Sequence, residues 1–179
     1  IKIDERTTLR RIRVTDAEGM FELIDSQREY LGKWLPFIPF TRSADDSLAF
    51  IESVLSEPEE RGNIVYAILV DGKFAGTIGL KDTDLINLRT EIGYWLGEQY
   101  QGRGIMTRSV QSLCSMAFME MGMNRVQIQC AVGNSPSSNI PKRLGCTYEG
   151  TIRDGERKAD GSYHDIELFS LLKSEFEDH

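Results

Sequence analysis

The sequence predicts an α/β fold built on a mixed sheet, an α+β arrangement of seven strands and four helices, and three observations lead there. The length of 179 residues suits one domain, read as spanning 1–179. Apolar residues at 40% and charged residues at 27% match a globular chain and exclude disorder or a collagen-like repeat. Segments with a two-residue period alternate with segments stepping by three and four, in the order β-α-α-β-β-β-α-β-α-β-β. The sum of 21 basic and 28 acidic side chains is −7, which repels a phosphate backbone, so no direct nucleic-acid partner is expected. No apolar run reaches the roughly 18 residues of a membrane span, and no apolar signal core follows Ile1, so a cytoplasmic protein is expected. Cys114, Cys130 and Cys146 form no C-x-x-C pair and read as buried free thiols. With His164 and His179 as the only histidines, no zinc site is expected.

Residues 8–13 make a short first strand. Thr15-Asp16-Ala17-Glu18 fits a capping box, with Met20, Phe21, Ile24 and Leu31 carrying the helical period behind it. Residues 32–42 hold two prolines and three aromatics and form an apolar loop. Ser43-Ala44-Asp45-Asp46 opens a second helix with Leu48, Ile51, Val54 and Leu55 on one face, stopped by Pro58. Ile64–Val70 is unbroken and apolar, the mark of a strand covered on both faces. Asp71-Gly72 then turns the chain into a strand over 74–80. Residues 82–88 form a polar loop before a strand over Arg89–Leu96. A helix is expected over 104–121, a half-buried strand over Arg125–Ala131, and a short helix over 137–144 ended by Gly145. Strands near 146–153 and 162–171 flank the Asp160-Gly161 turn.

Between Leu96 and the central helix lies Gly97-Glu98-Gln99-Tyr100-Gln101-Gly102-Arg103-Gly104. A glycine-containing loop entering a helix exposes N–H groups that the first turn cannot satisfy, and the helix dipole adds partial positive charge there. An anion can bind at such a place, and Arg103 can add a salt-sensitive contact. An ordinary glycine-rich turn has the same signature. A Walker A loop is excluded because Gly104-Ile105-Met106 replaces Gly-Lys-Ser/Thr, and a dinucleotide fingerprint is excluded because position 107 is Thr. Gly93 and Gly97 among bulky residues mark a bulge or a closely lying backbone. If that strand splays from its neighbour, its free peptide groups can pair with an extended amide-bearing ligand. The pantetheine arm and pyrophosphate of coenzyme A suit a strand edge followed by a helix N-terminus.

Gln101-Gly102-Arg103-Gly104-Ile105-Met106-Thr107 resembles the acetyl-CoA pyrophosphate loop of the GNAT acetyltransferases. Four further stretches resemble the RimJ/RimL ribosomal-protein branch. They are Glu91-Ile92-Gly93-Tyr94-Trp95, Asn134-Ser135-Pro136-Ser137 with Ile140-Pro141-Lys142-Arg143-Leu144-Gly145, Glu149-Gly150 through Arg153-Asp154-Gly155, and Tyr163-His164-Asp165 with Ser170-Leu171-Leu172. The resemblance covers essentially the whole chain and implies a GNAT-like fold. It also implies an N-acetyltransferase using acetyl-CoA, without metal, on a protein N-terminal α-amine. A polyamine- or antibiotic-like small amine and a non-catalytic acyl-CoA sensor are the alternatives. The family often forms dimers, so a homo-oligomer is a further expectation.

The resemblance places pantetheine on the backbone of Trp95 and Leu96, the pyrophosphate on the N–H groups of Gln101, Gly102, Arg103, Gly104, Ile105, Met106 and Thr107, and the pantetheine amides near Asn134. The tyrosine acid of many GNAT enzymes is replaced by Pro141, so the serine matching Ser137 takes the thiolate-protonating role and the glutamate matching Glu156 assists the amine. Met106 and Cys146 depart from commoner family residues without touching this scheme. Glu91, at the base position of the broader family, competes with Glu156, and its alternative is a strand carboxylate paired with Arg89 or Lys81. Glu156 reads equally as a solvated hairpin charge, and Ser137 also reads as a helix cap, a role that does not exclude thiolate donation. Trp34, Phe37 and Phe40 are expected at the acceptor mouth or as a flap over the core. His164, with no nucleophile motif near it, is expected to be structural or substrate-facing.

Overall fold

The computed structural model describes residues 1–58 and 62–177; His179 lies outside them. Strand β1 (Thr7–Arg11) leads through a 3-10 turn at Val14–Asp16 into α1 (Ala17–Ser26) and a single turn, α2 (Arg28–Leu31). After the 32–42 loop come α3 (Ala44–Leu55), β2 (Ile64–Val70), β3 (Lys73–Asp84), β4 (Arg89–Leu96), α4 (Ile105–Ser115), β5 (Arg125–Ala131), α5 (Ser135–Arg143), β6 (Thr147–Arg157), β7 (Tyr163–Leu172) and α6 (Lys173–Glu177). One seven-stranded mixed sheet runs β1-β2-β3-β4-β5-β7-β6. No described helix is long and apolar enough to cross a membrane.

Four differences from the sequence reading have physical causes. The cap ahead of α1 falls on Asp16, not Thr15 and Glu18: Arg13 donates its N–H to Asp16 Oδ2 at 2.8 Å, and Arg10 holds the same carboxylate. Leu31 belongs to the separate turn α2 because the helix breaks at Gln27. Strand β3 outlasts 80 and pairs Asp84 with Arg89, a polar continuation past a bulge. The helix over 104–121 widens into a π turn at Met116–Glu120, which keeps three successive residues, Met116, Ala117 and Phe118, buried. At α3 the expectation matches: Ser43 accepts the Asp46 N–H while Asp46 accepts the Ser43 N–H.

The sheet has a cluster of buried side chains on each face. Val110, Leu113, Phe118, Val126, Ile128 and Phe169 lie together under α4. Met20, Ile24, Ile51, Ala67 and Trp95 lie under α1 and α3. The decisive irregularity sits between β4 and β5. They pair in parallel only at Arg89↔Arg125, Thr90↔Val126 and Glu91↔Gln127. Beyond Glu91, β4 stays on β3 through Leu96↔Gly76, while β5 stays on β7 through Ala131↔Ile166. The sheet therefore parts into two wings.

Close backbone approach falls on β3 rather than at Gly93 or Gly97. A Cβ on Gly76, whose φ is +155°, would lie 2.2 Å from Trp95 O, and one on Gly79 would lie 2.3 Å from Ile64 O. At Gly93 it would meet only the flexible Lys81 side chain at 3.3 Å, and at Gly97 the Leu23 side chain at 2.9 Å. Gly76→Ala is therefore expected to cost about 2–3 kcal/mol in denaturant unfolding, and Gly93→Ala less than about 1 kcal/mol. Equal losses would contradict this ordering.

Candidate active site

The parted wings and two helix starts frame a cavity of about 540 Å³. One wall is the end of β4, with Tyr94, Trp95 and Leu96 lining the space. The peptide groups that face β5 after Glu91 have no strand partner across the gap. A second wall is the entry to α4, where Gly102 (φ +71°) and Gly104 (φ +68°) adopt the left-handed backbone that only glycine takes without strain. This turn opens an eleven-residue helix whose first residues, Ile105 to Thr107, line the cavity with N–H groups that the helix itself leaves unpaired. A Cβ on Gly102 would touch nothing, so the left-handed backbone is the reason for glycine there. Arg108 braces the loop by donating to Arg103 O at 3.2 Å, while its other nitrogen reaches Asp4 at 2.6 Å. Gln101 bonds the Tyr30 hydroxyl, which ties the loop to α2.

The third wall is the start of α5. Asn134 caps it, accepting the Ser137 N–H at 3.4 Å, so Asn134 is the cap and Ser137 stands in the first turn. Ser137 Oγ lies 3.3 Å from both Tyr94 Oη and Cys130 Sγ, and Tyr94 Oη donates to Ser137 O at 3.1 Å. Burial, then the neighbouring Cys130, pushes the Tyr94 phenol well above its usual range, so it stays protonated. Burial likewise raises Cys130, so its thiol remains neutral.

The cavity thus brings together Trp34, Trp95, Leu96, Gln101, Gly102, Gly104, Ile105, Met106, Thr107, Asn134 and Ser137. Arg103 stays outside, its guanidinium 6.0 Å over the Tyr100 ring. Phe37 and Phe40 also stay outside and are exposed; Ile38 is the side chain their loop buries. Sequence reasoning missed Tyr30, Tyr100, Arg108 and Arg143 as lining residues and gave Tyr94 no role. For Tyr94 a signal existed, because it alternates with Ile92 and Leu96 on the α4 side of the strand.

Both candidate glutamates lie outside the cavity. Glu91 is 3% exposed and occupies the last paired position before the wings part. Lys81 Nζ sits 2.8 Å from its Oε1, and Gln127 and Gln129 donate to Oε2 at 3.0 and 2.8 Å. Of the two cations named for it, Lys81 is the partner; Arg89 reaches Asp84. Burial lowers the Lys81 pKa, but the Glu91 contact, together with Asp82 and Glu156, outweighs it and leaves the ammonium above its ordinary value. Glu156 therefore stands within the field of the same lysine. It pairs across the hairpin with His164, Oε2 to Nε2 at 2.7 Å. His164 lines a smaller hollow of about 180 Å³ with Lys33, Lys158 and Asp160, and Trp34 walls both spaces.

The model of the acetyltransferase (GNAT) domain family matches residues 6–147. The chain belongs to the GNAT acetyltransferases. The putative ribosomal N-acetyltransferase YdaF of Bacillus subtilis (strain 168) is 38% identical over 180 residues, covering 98% of this chain and 96% of that protein. RimL, a ribosomal L7/L12 alpha-N-protein acetyltransferase, was solved with coenzyme A joined to one of its cysteines as a disulfide. It superposes with a TM-score of 0.89 at 25% identity, covering 96% of this chain and 97% of that one. The microcin C7 self immunity acetyltransferase MccE, solved with acetyl-CoA and AMP, gives 0.89 at 28% identity, covering 96% and 95%. This GNAT chain is accordingly an N-acetyltransferase with acetyl-CoA as its cosubstrate.

Lys81 is what keeps Glu91 acceptable inside this acetyltransferase. Lys81→Met is expected to cost about 1–3 kcal/mol, and adding Glu91→Gln to recover most of it. Additive losses in denaturant unfolding would show that the two groups are not coupled.

Proposed function

We propose that this enzyme acetylates the α-amine of a protein N-terminus, with a ribosomal protein as acceptor. The observation that carries the reading is the cavity opened where β4 and β5 part. The entry of α4 and Ser137 both line it, and a polar group of Glu91, Lys81 and Glu156 lies on the opposite face of the sheet. The names of YdaF and RimL support the ribosomal acceptor.

The N–H groups of Gln101 to Thr107 would hold the diphosphate, while the unpaired edge at Trp95 and Leu96, with Asn134, would hold the pantetheine amides. Arg103 contributes at most from the rim. This set fits an elongated, doubly anionic carrier: a polar cradle at one end, an apolar channel walled by Ile105, Met106 and Ile140, and a hydroxyl at the far end. Ser137 would donate its hydroxyl proton to the departing sulfur. In RimL a cysteine lies within bonding distance of the coenzyme sulfur; in this chain Cys130 Sγ is 3.3 Å from Ser137 Oγ. That neighbourhood supports placing the sulfur beside Ser137.

Glu156 would accept the amine proton, directly or through water. An α-amine, with a pKa near 7.7–8.0, needs less help at neutral pH than a lysine near 10.4. Glu91 already accepts from three partners, so its role would be electrostatic. Trp34 would guide the acceptor between the two hollows, with His164 holding Glu156. The equal likeness to MccE, solved with AMP, favours a small amine-bearing acceptor as the second reading.

Ser137→Ala is expected to lower kcat by about 100-fold with acetyl-CoA binding unchanged by calorimetry, and Glu156→Gln to do likewise, with Glu91→Gln far milder. Free-thiol release would be followed on ribosomal N-terminal peptides and on small amines. Turnover of small amines alone would reject the ribosomal acceptor, and binding without turnover of any amine would reject catalysis. A greater loss in Glu91→Gln than in Glu156→Gln would exchange the two glutamates' roles.

A further inference from the structure

Pro141 lies inside α5 and is buried. Helix geometry would give the Ser137 carbonyl the N–H of residue 141, four positions on, and proline has none. A carbonyl so placed needs another donor. Tyr94 supplies it from the opposite wall: its hydroxyl donates to Ser137 O at 3.1 Å and takes the Ser137 hydroxyl at 3.3 Å. Both residues line the cavity, one on β4 and one on α5, so this contact bridges the gap between the parted wings. Tyr94 Oη is also 3.9 Å from Cys130 Sγ on β5.

We propose that Tyr94 is a positioning residue for Ser137, recruited by the donor that Pro141 lacks. The proposal rests on the reading of Ser137 as the group that protonates the leaving sulfur. When the Ser137 hydroxyl turns towards that sulfur, the Tyr94 O–H stays on the Ser137 carbonyl and holds the first turn of α5 in place. No proton leaves Tyr94, whose buried phenol resists ionisation. Pro141 therefore brings a hydroxyl from the strand to serve the serine.

The test is a set of variants: Tyr94→Phe, Ser137→Ala, Pro141→Ala, and Tyr94→Phe combined with each of the other two. Tyr94→Phe is expected to lower kcat by about tenfold, the worth of one hydrogen bond, with KM for acetyl-CoA nearly unchanged. Pro141→Ala gives the carbonyl its helical donor, so Tyr94→Phe in that background should cost less than about twofold. In the Ser137→Ala background Tyr94→Phe should add nothing further. In the protein without ligand, the Tyr94 Cζ resonance, read by NMR with 13C-labelled tyrosine, should shift on Pro141→Ala as the hydroxyl loses its acceptor.

A harmless Ser137→Ala would overturn the acid assignment itself. With Ser137→Ala impaired, three results would each overturn the positioning role. They are an active Tyr94→Phe, a Tyr94→Phe loss of the same size in all backgrounds, and a recovery of thermal stability but not of kcat on adding Pro141→Ala. An unmoved Tyr94 resonance would overturn it even if Tyr94→Phe did not fold.

Discussion

The parting of β4 from β5 after one short parallel stretch is the constraint on which this molecule depends. Three residue pairs join the wings, ending at Glu91 and Gln127. Past that point each strand keeps its outer neighbour and gives up the inner one. A buried strand edge without partners is costly unless another group meets its peptide dipoles. Here a cavity runs along that edge, with a helix start on either side. The apolar cluster under α4 takes side chains from both wings, so the opening is held by the packing around it.

The gap also divides the chemistry. On the α4 side lie peptide N–H groups and neutral hydroxyl and thiol groups, suited to an anionic carrier and a leaving sulfur. On the other face lie Lys81, Glu91, Gln127 and Gln129, with Glu156 nearby, suited to a cationic or neutral amine. In the function proposed above, this separation by one strand's thickness would let donor and acceptor enter from opposite sides and meet at the sheet. The bulge in β6 between Ile152 and Glu156 belongs to this arrangement, because it resets the register so that Glu156 stands opposite His164.

Elements whose sequence pattern coincides with their burial were legible. Ile64–Val70, Arg89–Leu96 and Arg125–Ala131 end where their apolar patterns end, and the Ser43 cap announces α3. Strand β3 ran further than its hydrophobic stretch because Lys81 to Asp84 pair through backbone and polar side chains, with no apolar side chain to show it. The one-turn α6 was missed, being too short for a period. In the site, the glycines of the loop stood out because their type reports a backbone conformation. Tyr94 did not, and Pro141 stood out only as a replaced tyrosine, since its missing N–H matters only once a strand from the other wing lies beside α5. Phe37 and Phe40 drew attention by their size, but Arg28 ties their loop down through Ile38 O and Thr41 O, so Ile38 faces inward.

The most direct measurement is a backbone amide NMR titration of the protein with coenzyme A. The account places the carrier inside the parted sheet, so the amides of Tyr94 to Leu96, Gln101 to Thr107 and Asn134 to Ser137 should shift together with one affinity. Those of the outer strands β1 and β6 should stay in place. Saturable shifts confined to another surface, or a carrier that leaves the α4 entry unmoved, would contradict it.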